Sequence, residues 1–306
     1  MPPSGGCAGD GWASAAWPGD STPARPRPHT ECAGGGGIDT PAGRPAQLWR
    51  GGSMGSGPIL PAMALREVCA DIWVVDHQQK IPVGFVMPAR MIVVRLSAGD
   101  LWLCSPGPID DPTAEELAAL GPVRYLVGPN RFHHLYLPAA VERFPDAEVL
   151  GAPGLAEKRK DVAFSGTLGI ASSWGSDLIS IPIDGMPGIG EVAFCHRPSG
   201  SLLVADLLFN LRQRQGLMAS AYCRLTGVHR RVAMSRMFRF AIRDRAACAA
   251  SCLRLLRSPF DRLVPCHGDV VEEDAKRQVE AALAWIFDGL ETPPEPAPAG
   301  APVPEV

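Results

Sequence analysis

The stretch Gly128-Pro129-Asn130-Arg131-Phe132-His133-His134 lies between two segments of different character. Before it, the apolar run at residues 123–127 predicts a buried strand, and after it residues 135–143 predict a helix. Two adjacent histidines therefore stand where a strand ends and a helix begins. In α/β folds, ligands and metals bind beyond the carboxyl ends of the strands. This loop is the first candidate for a functional site.

Two further predicted strands end in polar residues of the same kind. Residues 201–206 form an apolar run that ends in Asp206, and the run at residues 262–265 is followed by Cys266-His267-Gly268-Asp269. The chain has only seven histidines. The concentration of His-His, Asp and His at three strand ends is therefore greater than composition alone suggests.

The remaining patterns predict an α/β (α+β) protein. Short apolar strands are predicted at residues 72–75, 91–96, 101–104, 178–183 and 191–196. Helices are predicted at residues 113–120, with Thr113 as N-cap, at 207–257 and at 272–287.

The order of these elements resembles the metallo-β-lactamase fold, an αββα sandwich of two mixed sheets flanked by helices. The resemblance covers about residues 66–287, and it is strongest to a branch known only as a domain of unknown function. The phrases that carry it are Arg90-Met91, Gly128 to Leu135, Phe144-Pro145-Asp146-Ala147, Val204-Ala205-Asp206-Leu207 and Cys266-His267-Gly268-Asp269.

The resemblance implies a two-metal site with a His-x-His-x-Asp-His loop, a lone histidine, a strand-end aspartate and a terminal histidine. Asp206 and His267 match their positions, and His134 takes the last histidine position of the loop. His133 then replaces the loop aspartate, while Arg131 and Pro129 replace the first two histidines. The segment expected to carry the lone histidine, residues 184–188, has none.

The retained set fits one metal ion better than two. A mononuclear zinc site needs three or four protein ligands, and the candidates are His133, His134, Asp206 and His267, with Asn130 and Asp184 in supporting positions. The ion would be zinc, iron or manganese. An absence of metal is slightly favoured, because ligands are missing and Arg131 adds a positive charge.

Two functions follow from the resemblance. One is a divergent metal-dependent hydrolase of an ester, thioester or phosphoester. The other is a non-catalytic relative that binds a small anion or a protein partner through the degenerate cleft. A purely structural interpretation of these residues is also open. The loop histidines would cap the next helix or hydrogen-bond neighbouring loops, and Asp206 would accept hydrogen bonds from backbone amides.

A second feature is a run of arginines in the predicted helical stretch, with Asp244 as its only acid: Arg224, Arg230, Arg231, Arg236, Arg239, Arg243 and Arg245. Such runs usually form solvated helix faces. The alternative is an anionic ligand, nucleic acid or an acidic membrane surface, with Arg230 and Arg231 as candidate anion-binding residues. Few aromatic residues interleave, so the nucleic-acid signal is weak.

Composition sets the remaining expectations. The net charge of −3 implies no general attraction to anionic partners, and no apolar run is long enough to span a membrane. Nine cysteines without a Cys-x-x-Cys pair predict reduced thiols and a cytoplasmic protein.

Residues 1–62, with 14 glycines and 10 prolines, predict a disordered extension. Residues 63–291 are expected to form the domain and 292–306 a disordered Pro/Ala-rich tail.

Overall fold

The computed structural model describes residues 64–80, 86–169, 174–212 and 216–290. The predicted extension at residues 1–62 and the tail at 292–306 lie outside the described residues. No helix in the described part of the chain is long and apolar enough to cross a bilayer.

The first half of the domain forms a seven-stranded mixed sheet in which sequence neighbours pair with one another. Its strands are β1 (Arg66–Cys69), β2 (Ile72–Lys80), β3 (Val86–Arg95), β4 (Leu101–Cys104), β5 (Val123–Gly128), β6 (Glu148–Gly151) and β7 (Gly166–Thr167). The pairs from β1 to β4 are antiparallel, and those from β4 to β7 are parallel. The parallel crossovers contain α1 (Asp111–Leu120), α2 (Leu137–Arg143) and α3 (Leu155–Lys158).

The second half begins with β8 (Leu178–Pro182), β9 (Val192–His196) and β10 (Ser201–Val204). After a two-stranded sheet of β11 (Phe209–Asn210) and β12 (Val232–Ala233), it returns through β13 (Arg262–Pro265). The four-stranded sheet has the order β13-β10-β9-β8, and β10 and β13 are parallel. The helices of this half are α4 (Leu217–Thr226), α5 (Arg236–Phe240), α6 (Arg245–Arg257) and α7 (Ala275–Leu283), with a 3-10 turn at Ala284–Ile286.

Three apolar layers hold these elements together. Between the sheets, side chains such as Val74, Trp102 and Phe194 pack against one another, and Trp102 meets Phe194 edge to face at 4.8 Å. Leu117 and Leu137 seal the outer face of the first sheet, and α6 and α7 cover the second. The layer order is therefore helix, sheet, sheet, helix, as the resemblance predicts.

Two helix predictions need correction. The stretch 207–257 is not continuously helical, because β11 and β12 pair within it and α4 ends at Gly227, which has a φ of 81°. Helix α1 begins earlier than predicted, since Asp110 is its N-cap and accepts a hydrogen bond from the Thr113 backbone N–H.

Candidate metal centre

Asp206 and His267 meet because of the register of β10 and β13. These parallel strands pair Leu203 with Val264 and Val204 with Pro265. Asp206 and His267 each lie two residues beyond the last of these pairs. Their side chains therefore emerge together at the same sheet edge, and His267 Nε2 lies 3.3 Å from Asp206 Oδ1.

His133 reaches the same point from the other sheet, through the turn that follows β5. The Asn130 side-chain oxygen accepts hydrogen bonds from the backbone N–H groups of Phe132 and His133, both at 2.8 Å. This turn directs the His133 ring toward the second sheet. His133 Nε2 lies 3.1 Å from His267 Nε2 and 3.3 Å from Asp206 Oδ2.

The three side chains have the geometry of a metal-binding cluster. With one donor atom taken from each residue, the atoms of His133, Asp206 and His267 all lie within 4.8 Å of one another. Two atoms that bind one zinc ion at about 2.0–2.1 Å in tetrahedral geometry lie about 3.3–3.4 Å apart. The side chains are at most 9% exposed, so the cluster is shielded from solvent. The donors therefore fit one ion of the kind that binds two imidazoles and a carboxylate.

The second nitrogen of each imidazole is held by the protein. His267 Nδ1 donates to the carbonyl of Pro88 at 2.8 Å, and His133 Nδ1 lies 2.6 Å from the Ser105 hydroxyl. Such outer partners fix the ring orientation and the tautomer of metal-binding histidines. Ser105 follows β4 with a φ of 54°, a conformation that residues other than glycine rarely adopt.

Asn130 and Glu191 form the support beneath the cluster. The Asn130 side-chain nitrogen donates to Asp206 Oδ2 and to Glu191 Oε2, both at 2.8 Å. Glu191 in turn accepts hydrogen bonds from the backbone N–H groups of Ala205, Asp206 and Leu207. One buried amide therefore joins the histidine loop, the strand-end aspartate and a second carboxylate.

The charges of this network oppose and compensate one another. Burial raises the pKa of Glu191, and repulsion by Asp206 adds to the effect, so that the value is about 7 even though N–H donors surround the group. Burial alone would raise the pKa of Asp206, but His133 and His267 hold it well below its usual range. Burial alone would lower the pKa of His133, but Asp206 outweighs this effect and raises it well above the usual value.

His134 does not join the cluster. Its Nδ1 accepts a hydrogen bond from the Arg159 guanidinium at 2.7 Å, and Arg159 also donates to the His134 carbonyl. Burial, with the nearby Lys158 and Arg159, lowers the pKa of His134 to about 4. The resemblance places His134 in the last histidine position of the loop, with His133 as a further candidate, and the structure places His133 beside Asp206 and His267. The reason is the turn at Asn130, which rotates the two adjacent rings in different directions.

The other predicted residues lie in separate environments. Asp184 pairs with Arg254 at 2.8 Å and accepts a hydrogen bond from Ser251, both outside the cluster. Arg131 donates to the carbonyl of Pro187 at 3.2 Å. Arg230 and Arg231 are exposed, and Arg231 donates to the Gly227 carbonyl.

Three nearby residues were not predicted from the sequence. Glu191 precedes an apolar strand, and an acid in such a position signals burial with partners, although the partners are distant in sequence. The His77 ring packs edge to face on Tyr136 at 5.5 Å. Burial lowers the pKa of His77 to about 4, and the two cluster histidines add to this effect. Phe209 stacks on the His267 ring with centroids 5.1 Å apart.

Comparison with known proteins agrees with this architecture. Residues 70–156 match the model of a family described as a domain of unknown function, DUF4336. The chain is similar in structure to a metallo-β-lactamase from Pontibacter korlensis, with 17% identity, a TM-score of 0.51, and coverage of 74% of this chain and 99% of that one. The protein has a metallo-β-lactamase fold.

Two further solved structures share this metallo-β-lactamase fold. The metallo-β-lactamase FIM-1 from Pseudomonas aeruginosa, in its mono-zinc form, gives 11% identity, a TM-score of 0.50, and coverage of 72% of this chain and 95% of that one. A metal-soaked Flv1 flavodiiron core from Synechocystis gives 14% identity, a TM-score of 0.51, and coverage of 74% of this chain and 61% of that one. No curated protein matches the sequence. At these identities the likeness establishes the fold, and the activity has to be argued from the site.

Proposed function

We propose that the protein is a divergent metal-dependent hydrolase that uses a single ion held by His133, Asp206 and His267. The observation that supports this proposal is the convergence of these three donors, which come from opposite sheets, within 4.8 Å of one another. Zinc, iron and manganese all accept imidazole and carboxylate ligands. When bound in a three-ligand site, such an ion supplies a Lewis acid and lowers the pKa of water.

The chain's own groups would prepare this site for metal. The hydrogen bond from His267 Nδ1 to Pro88 leaves a lone pair on Nε2, directed at the cluster. Asn130 fixes Asp206 Oδ2 and, through the His133 backbone, the loop that carries the third donor. The ligands would therefore be in place before an ion arrives, which lowers the ordering cost of binding.

The substrate class remains that of the sequence prediction, an ester, a thioester or a phosphoester. Lys158 donates to the carbonyl of Arg131 at 2.6 Å, and its ammonium group lies 5.1 Å from the Phe132 ring. Lys158 and the nearby Arg131 place positive charge beside the histidine loop, whereas Arg159 is paired with Asp161 at 2.6 Å. This positive charge favours substrates that carry a negative charge. The seven cysteines of the described residues are all free thiols, which supports a reducing compartment such as the cytoplasm.

The test is metal content. The untagged full chain would be loaded with zinc, iron or manganese, dialysed and measured by inductively coupled plasma mass spectrometry, with circular dichroism to confirm folding. We expect about one equivalent in the parent and in His134→Ala, and less than about a tenth in His133→Ala, Asp206→Asn and His267→Ala. A screen of chromogenic esters, thioesters and phosphodiesters on the loaded parent would then identify the reaction.

The second function is a non-catalytic binding module that uses the same cleft. One observation favours it: His133 Nε2 and His267 Nε2 share a hydrogen bond at 3.1 Å, and Asp206 lies 3.3 Å from both nitrogens, so the three groups already compensate one another. A parent that takes up no metal after loading would support this alternative and reject the hydrolase. Metal retained equally in the His133→Ala variant would reject the proposed ligand set.

A further inference from the structure

Residues 207–243 have a charge pattern unlike that of the whole chain. They contain eight arginines and no lysine, aspartate or glutamate, whereas the chain has a net charge of −3. In the described part of this segment, no arginine lies within ion-pair distance of a described carboxylate. The described arginines of this segment therefore carry a concentrated positive charge that no ion pair compensates.

The same segment exposes large apolar side chains. Of the eight large hydrophobic residues that are exposed among the described residues, five belong to it: Leu217, Met218, Leu225, Met237 and Phe240. Leu217 is 91% exposed and Phe240 is 85% exposed. Single exposed apolar residues are common on soluble proteins, but a group of them on neighbouring elements marks an interaction site.

Helix α4 shows how the sequence produces this surface. Its buried residues are Ala219, Cys223 and Thr226, spaced as one face of a helix that packs on the domain. The opposite face carries Leu217, Met218 and Leu225, where a solvated helix would carry charges. The outer face of α4 therefore carries three large apolar side chains beside the exposed Arg224.

The short helix α5 extends the surface beside the end of α4. Arg236 donates to the carbonyl of Leu225 at 3.2 Å, and Tyr222 donates to the Met237 sulfur at 3.1 Å. Burial, and the proximity of Arg231 and Arg236, lower the pKa of Arg239, as expected where like charges crowd together. We define the α4–α5 surface as the five exposed apolar residues named above together with Arg224, Arg230, Arg231 and Arg236.

We propose that the α4–α5 surface docks the protein onto anionic lipid bilayers, with its apolar side chains in the acyl boundary and its arginines on lipid phosphates. The combination of exposed aliphatic residues and excess arginine is what such an interface requires. A second copy of this chain is a poor occupant, because its own arginines would face these without any acid between them. Nucleic acid would use the arginines but leave Leu217, Met218 and Leu225 uncovered.

The test is co-sedimentation of the full chain with vesicles, and it is independent of metal content and of catalysis. We expect binding to vesicles of phosphatidylcholine with about 30% phosphatidylserine, and at least tenfold weaker binding to phosphatidylcholine alone or in about 0.5 M salt. Both a Met218→Ser/Leu225→Ser variant and an Arg224→Gln/Arg231→Gln variant should bind the anionic vesicles at least tenfold more weakly.

Matched controls lie outside the surface. Leu135→Ser replaces a residue that is 57% exposed, and Arg257→Gln replaces an exposed arginine of α6; both should bind as the parent does. No sedimentation with anionic vesicles would overturn the proposal. So would binding that survives the Met218→Ser/Leu225→Ser change. Tighter binding to a single-stranded oligonucleotide, measured by fluorescence anisotropy and unaffected by that change, would assign the surface to nucleic acid instead.

Discussion

The imidazole rings of His133 and His267 meet with their Nε2 atoms 3.1 Å apart, although the two residues are 134 positions apart in the sequence. His267 Nδ1 already donates to Pro88, so its Nε2 accepts and the shared proton belongs to His133. Asp206 lies 3.3 Å from both nitrogens and stabilises that proton. A metal ion at this point would take the proton's place.

Zinc binding should therefore release about one proton at pH 7. Asp206 contributes none, because its pKa lies well below the usual range, while the raised pKa of His133 keeps that ring protonated in the metal-free protein. Affinity should rise by up to about tenfold per pH unit below the His133 pKa and level off above it. Calorimetry in two buffers of different ionisation enthalpy measures the release. Affinity that does not change with pH would show that no proton occupies the cluster.

Removal of the Asn130 side chain should destabilise the fold and loosen the site together. Asn130→Ala deletes hydrogen bonds to Asp206, to Glu191 and to the backbone of the histidine loop. We expect a loss of about 2–4 kcal/mol in the free energy of unfolding, measured with urea. Zinc affinity should fall at least about tenfold, since outer-shell partners contribute that much.

Asn130→Asp separates charge from hydrogen bonding at the same position. It keeps the acceptor for the loop but places a third carboxyl beside Asp206 and Glu191. Repulsion by these two groups raises the pKa of the new carboxyl at position 130. A carboxyl with a raised folded-state pKa stabilises most at low pH and loses that contribution as the pH rises. We therefore compare the free energies of unfolding of Asn130→Asp and Asn130→Ala. The difference should favour Asn130→Asp more at pH 5 than at pH 8. An equal difference at both values would contradict the proposed crowding of carboxylates.

The alternation of strands and helices was enough to predict an α/β (α+β) protein, because buried strands and their turn residues are local signals. The αββα sandwich was predicted from the resemblance to the metallo-β-lactamase fold. The meeting of Asp206 with His267 was also accessible, since both follow apolar strands that end at one sheet edge. The sequence could not show which of His133 and His134 joins Asp206 and His267. That choice depends on Asn130 Oδ1 holding two backbone N–H groups and on Arg159, 25 residues away, binding His134.

The role of Glu191 was inaccessible for a related reason. Its partners, Asn130 and the backbone of residues 205–207, come together only when the two sheets pack. Sequence spacing carries no trace of such a contact. The bounds of α4 were not predicted, because the whole stretch 207–257 was interpreted as helical. In the structure, Gly216 and Gly227 are the caps of this helix.

Ser105 offers a test of strain at the site. Its φ of 54° costs a residue with a Cβ about 1 kcal/mol, and its hydroxyl lies 2.6 Å from His133 Nδ1. Ser105→Ala and Ser105→Gly both remove the hydroxyl, so both should weaken zinc binding about tenfold. Only glycine relieves the backbone, so Ser105→Gly should be about 1 kcal/mol more stable than Ser105→Ala in urea unfolding. Equal stabilities would mean that the φ carries no cost.

Gly268 should be the least replaceable residue of the terminal motif. Its φ is 96°, and a Cβ there would overlap the carbonyl of Asn210, whose backbone N–H also donates to the His267 carbonyl at 3.1 Å. Gly268→Ala must either adopt a disfavoured conformation or push the Asn210 segment away, and in both cases His267 moves. We expect a loss of about 2–5 kcal/mol in the free energy of unfolding and at least about tenfold weaker zinc binding.

The matched control for this change is Gly188→Ala. A Cβ at Gly188 meets no atom within 4 Å, so the change should stay within about 0.5 kcal/mol of the parent. Urea unfolding and zinc titration of the two variants, side by side, separate the combined effect of the positive φ and the Asn210 contact from a general intolerance of alanine. If Gly268→Ala binds zinc as the parent does, His267 is not held in place by its contact with Asn210, and the ring must be positioned by Pro88 and Phe209 alone.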